Sequence, residues 1–251
     1  MGKKNGKFNG NGSSTGTIEL LPHNSLQTTL SKSDQYDGRY GKKAKIKCHN
    51  EYQKDFIRTI DENEIILCDG VAGAGKSYLS LLKAIDYIQR PDNKYHKLFI
   101  MTPAVELEEK LGSLPGSLLE KLHPFLFSSY YLIDKIVGKE MREKMVSEQI
   151  IQPMALSFLT GVNIDNGILV FEEAQNSSVK QMKRLLTRIG YNSKFIISGD
   201  LQQIDRFRNE DESGLKYAMD RLIDVDGVGV YKFPIGSSVR NPIINRILDK
   251  Y

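Results

Sequence analysis

From residue 48 onward, short unbroken apolar runs alternate with longer stretches in which apolar residues recur every three or four positions. The runs are IILC at 65–68, LFIM at 98–101, ILVF at 168–171, FII at 195–197 and the more ragged VGVY at 228–231. Runs without alternation suit strands buried on both faces of a parallel sheet. The helical period is clearest after Asn176 and Ser177, which can cap a helix carrying Val179, Met182, Leu185, Leu186 and Ile189 on one face, with Gly190 as its stop. A second helix is predicted over 75–90, ended by Pro91. Residues 116–150 read as mostly helical without a strand, which predicts a helical insertion. Alternating β and α elements predict a three-layer α/β domain with a mostly parallel sheet, its ligands at the carboxyl ends of the strands.

Composition divides the chain. Residues 1–46 are rich in Gly, Asn, Ser, Thr and Lys with one apolar patch at Ile18, Leu20 and Leu21, too little to offset the entropy of ordering them. A basic, flexible tail over 1–46 and one folded domain over 47–251 are therefore expected. Residues 1–47 hold nine Lys or Arg against three Asp or Glu, and the remainder 26 against 28, so the net charge of +4 comes from the tail. Such an arm can reach phosphates, although most charge runs are simply solvated. Cys48 and Cys68 make neither a disulfide framework nor a zinc cluster, and Cys68 reads as a small buried thiol. With no long apolar span and no apolar segment behind the first lysines, a cytoplasmic protein without a membrane partner is expected.

The sequence GVAGAGKS at 70–77, comprising Gly70, Val71, Ala72, Gly73, Ala74, Gly75, Lys76 and Ser77, matches the phosphate-loop pattern at every fixed position. It stands between an apolar run and a predicted helix, where backbone N–H groups and the helix N-terminus converge on an anion. Lys76 is suited to the β and γ phosphates and Ser77 to a magnesium ion, so ATP and Mg2+ are the expected ligands. Such a loop needs carboxylates nearby. Glu172 and Glu173 follow the run at 168–171; the first is expected in the magnesium shell and the second on the attacking water. The turn SGDLQQ at 198–203 follows the next run and would set Gln203 against the γ phosphate. Adjacent glutamates often just open a solvated helix. Their order behind successive buried runs is what assigns these segments to one site.

Taken together, these residues resemble the PhoH family of ATPases, which is similar to the first RecA-like half of superfamily 1 helicases. The resemblance covers roughly residues 48–251 and rests on 70–77, on PAVELEEKLGSLPGSLLEKLHPFL from Pro103, on FEEAQNSSVKQMKRLLTRIGYNSKFIISGDLQQID from Phe171, and on the terminal SVRNPIINRILDKY. It implies a RecA-like P-loop NTPase core that hydrolyses ATP, a homo-oligomeric ring such as a hexamer, and RNA or single-stranded DNA as partner. By the same resemblance Gln53 falls where an adenine-reading glutamine is kept. Arg188 and Arg240 match family arginines, one of which would reach the γ phosphate as an arginine finger across a subunit boundary. Three positions depart from the family: Glu172 replaces the usual Asp, Thr102 an Arg, and LTGVN at 159–163 lacks flanking arginines. These departures favour a second reading, a nucleotide-dependent binding or assembly module with slow hydrolysis. A small-molecule kinase fits the phosphate loop alone.

Overall fold

The computed structural model describes residues 19–20, 40, 44–90, 92–102, 118–156, 159, 161–207, 210–234 and 236–239, with side chains in the helix at 118–137 described from 126 onward. A small parallel pair, β1 (Glu19–Leu20) and β2 (Lys47–Cys48), precedes the main domain. The domain then runs α1 (Glu51–Glu62), β3 (Ile65–Asp69), α2 (Lys76–Gln89), β4 (Lys97–Met101), α3 (Leu118–Val137), α4 (Lys139–Ser147), β5 (Ile151–Met154), β6 (Gly167–Phe171), α5 (Val179–Leu186), β7 (Lys194–Gly199), α6 (Gly214–Leu222) and β8 (Val228–Lys232). Six strands form one sheet in the order β5-β4-β6-β7-β3-β8, with every pairing parallel.

The apolar runs lack alternation because both faces of the sheet are covered. On one face Ile66, Cys68, Ile100, Val170 and Ile196 pack under Phe56 of α1, Leu82 and Ile85 of α2 and Ile133 of α3. On the other, Leu67, Met101, Leu169, Phe171 and Ile197 pack under Met182 and Leu185 of α5 and Leu215 and Met219 of α6. This is the expected three-layer α/β architecture. Cys48 and Cys68 are both free and buried.

Several boundaries move. Most of the expected tail lies outside the described residues, but Tyr40, Ala44 and Ile46 are buried in the core. Gln89 holds that segment to α2: its amide donates to the Tyr40 carbonyl and accepts from the Ala44 N–H, both at 2.9 Å. Tyr40, Ala44 and Ile46 thus pack with the domain that follows. The cap of α5 is Ser178, one residue later than expected, in a reciprocal capping box with Gln181. That helix ends at Leu186, well before Gly190, because Ile189 leaves it to bridge to Ile164. The helical insertion is present as α3 and α4, and the short strand β5 that follows it had not been anticipated. IQPM carries Pro153 and offers no continuous apolar run, which the edge position of β5 tolerates.

Candidate active site

The phosphate-loop sequence links β3 to α2 at the carboxyl edge of the sheet. Gly73 and Gly75 have φ of 87° and 96°, backbone that an L side chain rarely adopts. Gly75 caps α2 without a side-chain acceptor, so the first N–H groups of the helix are left for an anion. Lys76 folds along the loop and donates to the carbonyls of Gly70 and of Val71, the latter at 3.1 Å. Beneath the loop Gln53 is 2% exposed; it donates to the Ala74 carbonyl at 2.9 Å and accepts from the His49 N–H at 2.7 Å. A Cβ on Gly75 would meet its Nε2 at 2.8 Å. In this arrangement Gln53 props the loop, a role its sequence position does not disclose. The segment after β8 closes over the loop, where the Val239 N–H donates to the Gly73 carbonyl at 3.0 Å.

Glu172 stands where β6 ends, with β7 between its strand and the loop strand. It is 5% exposed, its carboxylate accepts a hydrogen bond from the Ser129 hydroxyl, and the Ser77 hydroxyl lies near enough to favour its charged form. Burial pushes its pKa up; the two serine hydroxyls pull it back, and the charge of Glu173 adds to the rise. Ser77 and Glu172, expected in one magnesium shell, thus stand as neighbours. The hydroxyl and carboxylate oxygens fit a hard cation that keeps waters and phosphate oxygens for its remaining ligands. Among the described residues no group of three or more His, Cys, Asp or Glu could form a metal cage by itself. Ser129 of α3 was not anticipated. Its signal was a serine on the stripe otherwise made by Leu126, Ile133 and Ile136, which are buried with it.

Glu173 is exposed and has φ 55° and ψ 31°. A left-handed conformation costs a non-glycine residue about 1–2 kcal/mol, and it turns Glu173 away from the buried direction taken by Glu172. Gln175, 1% exposed, fixes it: its amide donates to the Glu173 carboxylate at 2.8 Å and to the Gln203 carbonyl at 3.2 Å, while its oxygen accepts from the Asp200 N–H at 3.2 Å. Gln203 itself donates to Asp200 at 2.6 Å. This turn is tied to the loop strand, since Gly70 N–H reaches the Gly199 carbonyl at 3.2 Å and Leu201 N–H reaches Asp69 at 3.0 Å. Loop, acids and Gln203 turn therefore meet along one edge. Gln175 was legible in the sequence only as part of EEAQ, without its linking role.

The arginines part from this group. Arg188 follows α5, and its carbonyl accepts from Ile164 at 2.9 Å ahead of β6, which places it at the opposite, amino edge of the sheet. Its Nε is buried without a hydrogen-bond partner. Within one subunit it cannot join the phosphate loop. Arg240 lies outside the described residues. The amino edge also carries Lys194, whose ammonium caps α1 by donating to the Ile60 and Asn63 carbonyls. Nearby, Lys83 pairs with Asp61 at 2.7 Å and Arg90 with Asp86 at 2.5 Å, beside a cavity of about 420 Å³ bordered by Tyr87, Tyr95 and Lys194.

A parallel three-layer fold with a glycine-rich loop opening a helix, and with a buried glutamate ending a neighbouring strand at the same edge, defines a protein of the P-loop nucleotide-binding class. The family model described as PhoH-like protein matches residues 45–251. The chain belongs to the PhoH family. It is similar to the PhoH-like protein of Bacillus subtilis, with 32% identity over 234 residues that cover 93% of this chain and 72% of that protein. The PhoH-like protein of Mycobacterium tuberculosis is 35% identical over 213 residues, 85% of this chain and 59% of its own length. Protein PhoH of Escherichia coli is 29% identical over 208 residues, 82% and 58% respectively. The chain thus spans little more than half of the last two relatives. None of its described helices is long and apolar enough to cross a membrane.

Proposed function

We propose that the chain is a Mg2+-dependent ATPase acting on RNA or single-stranded DNA as a homo-oligomer. The observation that carries the reading is the phosphate loop, with Gly73 and Gly75 at positive φ, opening the uncapped N-terminus of α2 at the sheet edge where the buried Glu172 ends β6. The loop N–H groups and Lys76 bind the triphosphate, and Ser77 and Glu172 hold the metal side of it. Magnesium bound with the triphosphate supplies charge neutralisation at the phosphoryl oxygens. Glu173, held by Gln175, orients the water for in-line attack and takes its proton. Gln203 reports the γ phosphate through the turn tied to Asp69 and Gly70. Because Arg188 stands at the far edge of its own sheet, it serves as a finger only toward a neighbouring subunit's phosphates; Arg240, next in sequence to Val239, is the candidate within the subunit. The nucleic-acid partner and the ring rest on the family resemblance.

The test is ATP turnover with and without RNA and single-stranded DNA, together with calorimetry of Mg·ATP binding to the parent and to Lys76→Ala. Binding by the parent, its loss in Lys76→Ala, and turnover stimulated by one nucleic acid support the reading. Unchanged nucleotide retention in Lys76→Ala would overturn it. The buried Glu172, longer than the aspartate usual in the family, favours a second reading of a slow switch that assembles on ATP. Binding without stimulated turnover would select that one.

A further inference from the structure

On the ATPase reading above, we propose that Ser129 is a positioning residue: its hydroxyl, delivered by α3, sets the orientation in which Glu172 meets Ser77 and the cation side of the triphosphate. The helical insertion thereby becomes part of the site.

Ser129 is completely buried, and the residues that share its face of α3, Leu126, Ile133 and Ile136, are apolar. An apolar residue there would pack as well, and a hydroxyl buried without a partner costs free energy. Its partner is the Glu172 carboxylate. Glutamate has one more rotatable bond than aspartate, so its carboxylate needs more restraint to hold one geometry. Ser77, on the phosphate loop, lies near enough to favour the charged carboxylate. Ser129 supplies a direct restraint from α3. Donors of this kind to a metal-binding carboxylate fix its direction, and their loss weakens metal binding by roughly 10- to 100-fold. Ser129 is not placed to touch phosphate or water; it acts through Glu172.

The experiment measures retention of a fluorescent ATP analogue as a function of Mg2+ concentration for the parent, Ser129→Ala, Ser129→Thr, Glu172→Gln and the double variant Ser129→Ala/Glu172→Gln, with thermal unfolding in EDTA as the control for folding. Ser129→Ala is expected to need about tenfold more Mg2+ for half-maximal retention. Ser129→Thr, which keeps the hydroxyl, is expected to recover most of that loss. In the Glu172→Gln background the Ser129→Ala effect disappears, which a general packing defect would not do. If Ser129→Ala fails to fold, Ser129→Cys carries the same comparison with a weaker donor of similar volume. A Mg2+ requirement equal to the parent's, or an equal loss in the Glu172→Gln background, overturns the role of Ser129 alone. A parent that retains no Mg·ATP analogue at any concentration overturns the ATPase reading, and this role falls with it.

Discussion

The two edges of the sheet are both rich in charge, yet they are built differently. At the amino edge Lys83, Asp61, Asp86 and Arg90 pair among themselves, and Lys194 caps the end of α1. At the carboxyl edge the polar side chains bind loops: Lys76 and Gln53 hold the phosphate loop, while Gln175 joins Glu173 to the Gln203 turn. Charges that neutralise one another leave little field for a ligand. Lys76, held by neutral carbonyls and not by a carboxylate, keeps its charge beside the uncapped N–H groups of α2. What distinguishes a site from a structural cluster here is what its charges are attached to, not how many there are.

Substitutions at the two edges should separate cleanly. The largest effect is expected from Glu173→Gln at the carboxyl edge: single-turnover hydrolysis should fall by roughly 100- to 10,000-fold while Mg·ATP affinity by calorimetry stays near the parent's. Hydrolysis at the parent rate would remove Glu173 from the chemistry. Gly199→Ala follows. Its Cβ would meet Gln175 Oε1 and Leu215 Cδ2 at 2.6 Å and the Gln175 backbone nitrogen at 2.9 Å, so stability should drop by about 1–3 kcal/mol in denaturant titration, with turnover impaired as Gln175 shifts. Gln53→Ala leaves the Ala74 carbonyl and His49 N–H without these partners, for a cost of about 1–3 kcal/mol and weaker nucleotide binding. A loss of stability with unchanged affinity would confine Gln53 to the scaffold.

The smallest effect belongs to the amino edge. Burial lowers the Lys194 pKa from 10.5 to about 8; Asp61 opposes the shift, Lys94 and Lys83 add to it, and Glu64 opposes it. Below pH 8 the lysine is charged in both folded and unfolded chains, so the folded state bears the full cost of burying it. Between 8 and 10.5 the folded lysine has lost its proton and the unfolded one has not, so the unfolded state binds more protons and stability rises with pH. The parent's thermal midpoint should therefore gain on that of Lys194→Met across this window, with nucleotide affinity alike in both. A flat difference would mean that the buried charge carries no net cost.

Much of this was legible in the sequence because it depended on local pattern. Unbroken runs such as IILC and ILVF announce strands covered on both sides, and GVAGAGKS fixes its own backbone through its glycines. The acid pair was legible by its place behind a buried run. The division between a buried Glu172 and an outward Glu173 was expected as roles, but the left-handed turn that produces it was not. What escaped depended on partners distant in the chain. Ser129 lies 43 residues from Glu172, and Gln175 lies 28 from Gln203. Strand β5 escaped because four residues with a proline look like a loop until β4 pairs with them. Arg188 was found by resemblance, and only the topology shows which edge it occupies.

The register of β3 has a consequence for how the chain acquires its fold. Ile65 pairs with Phe195 on one side and Val228 on the other, so this strand waits for partners about 130 residues or more downstream. Until β7 and β8 arrive, it is a bare apolar ribbon, and contacts of such long sequence separation form slowly. On the ribosome the nucleotide mouth can then be completed only once β7 and β8 have emerged.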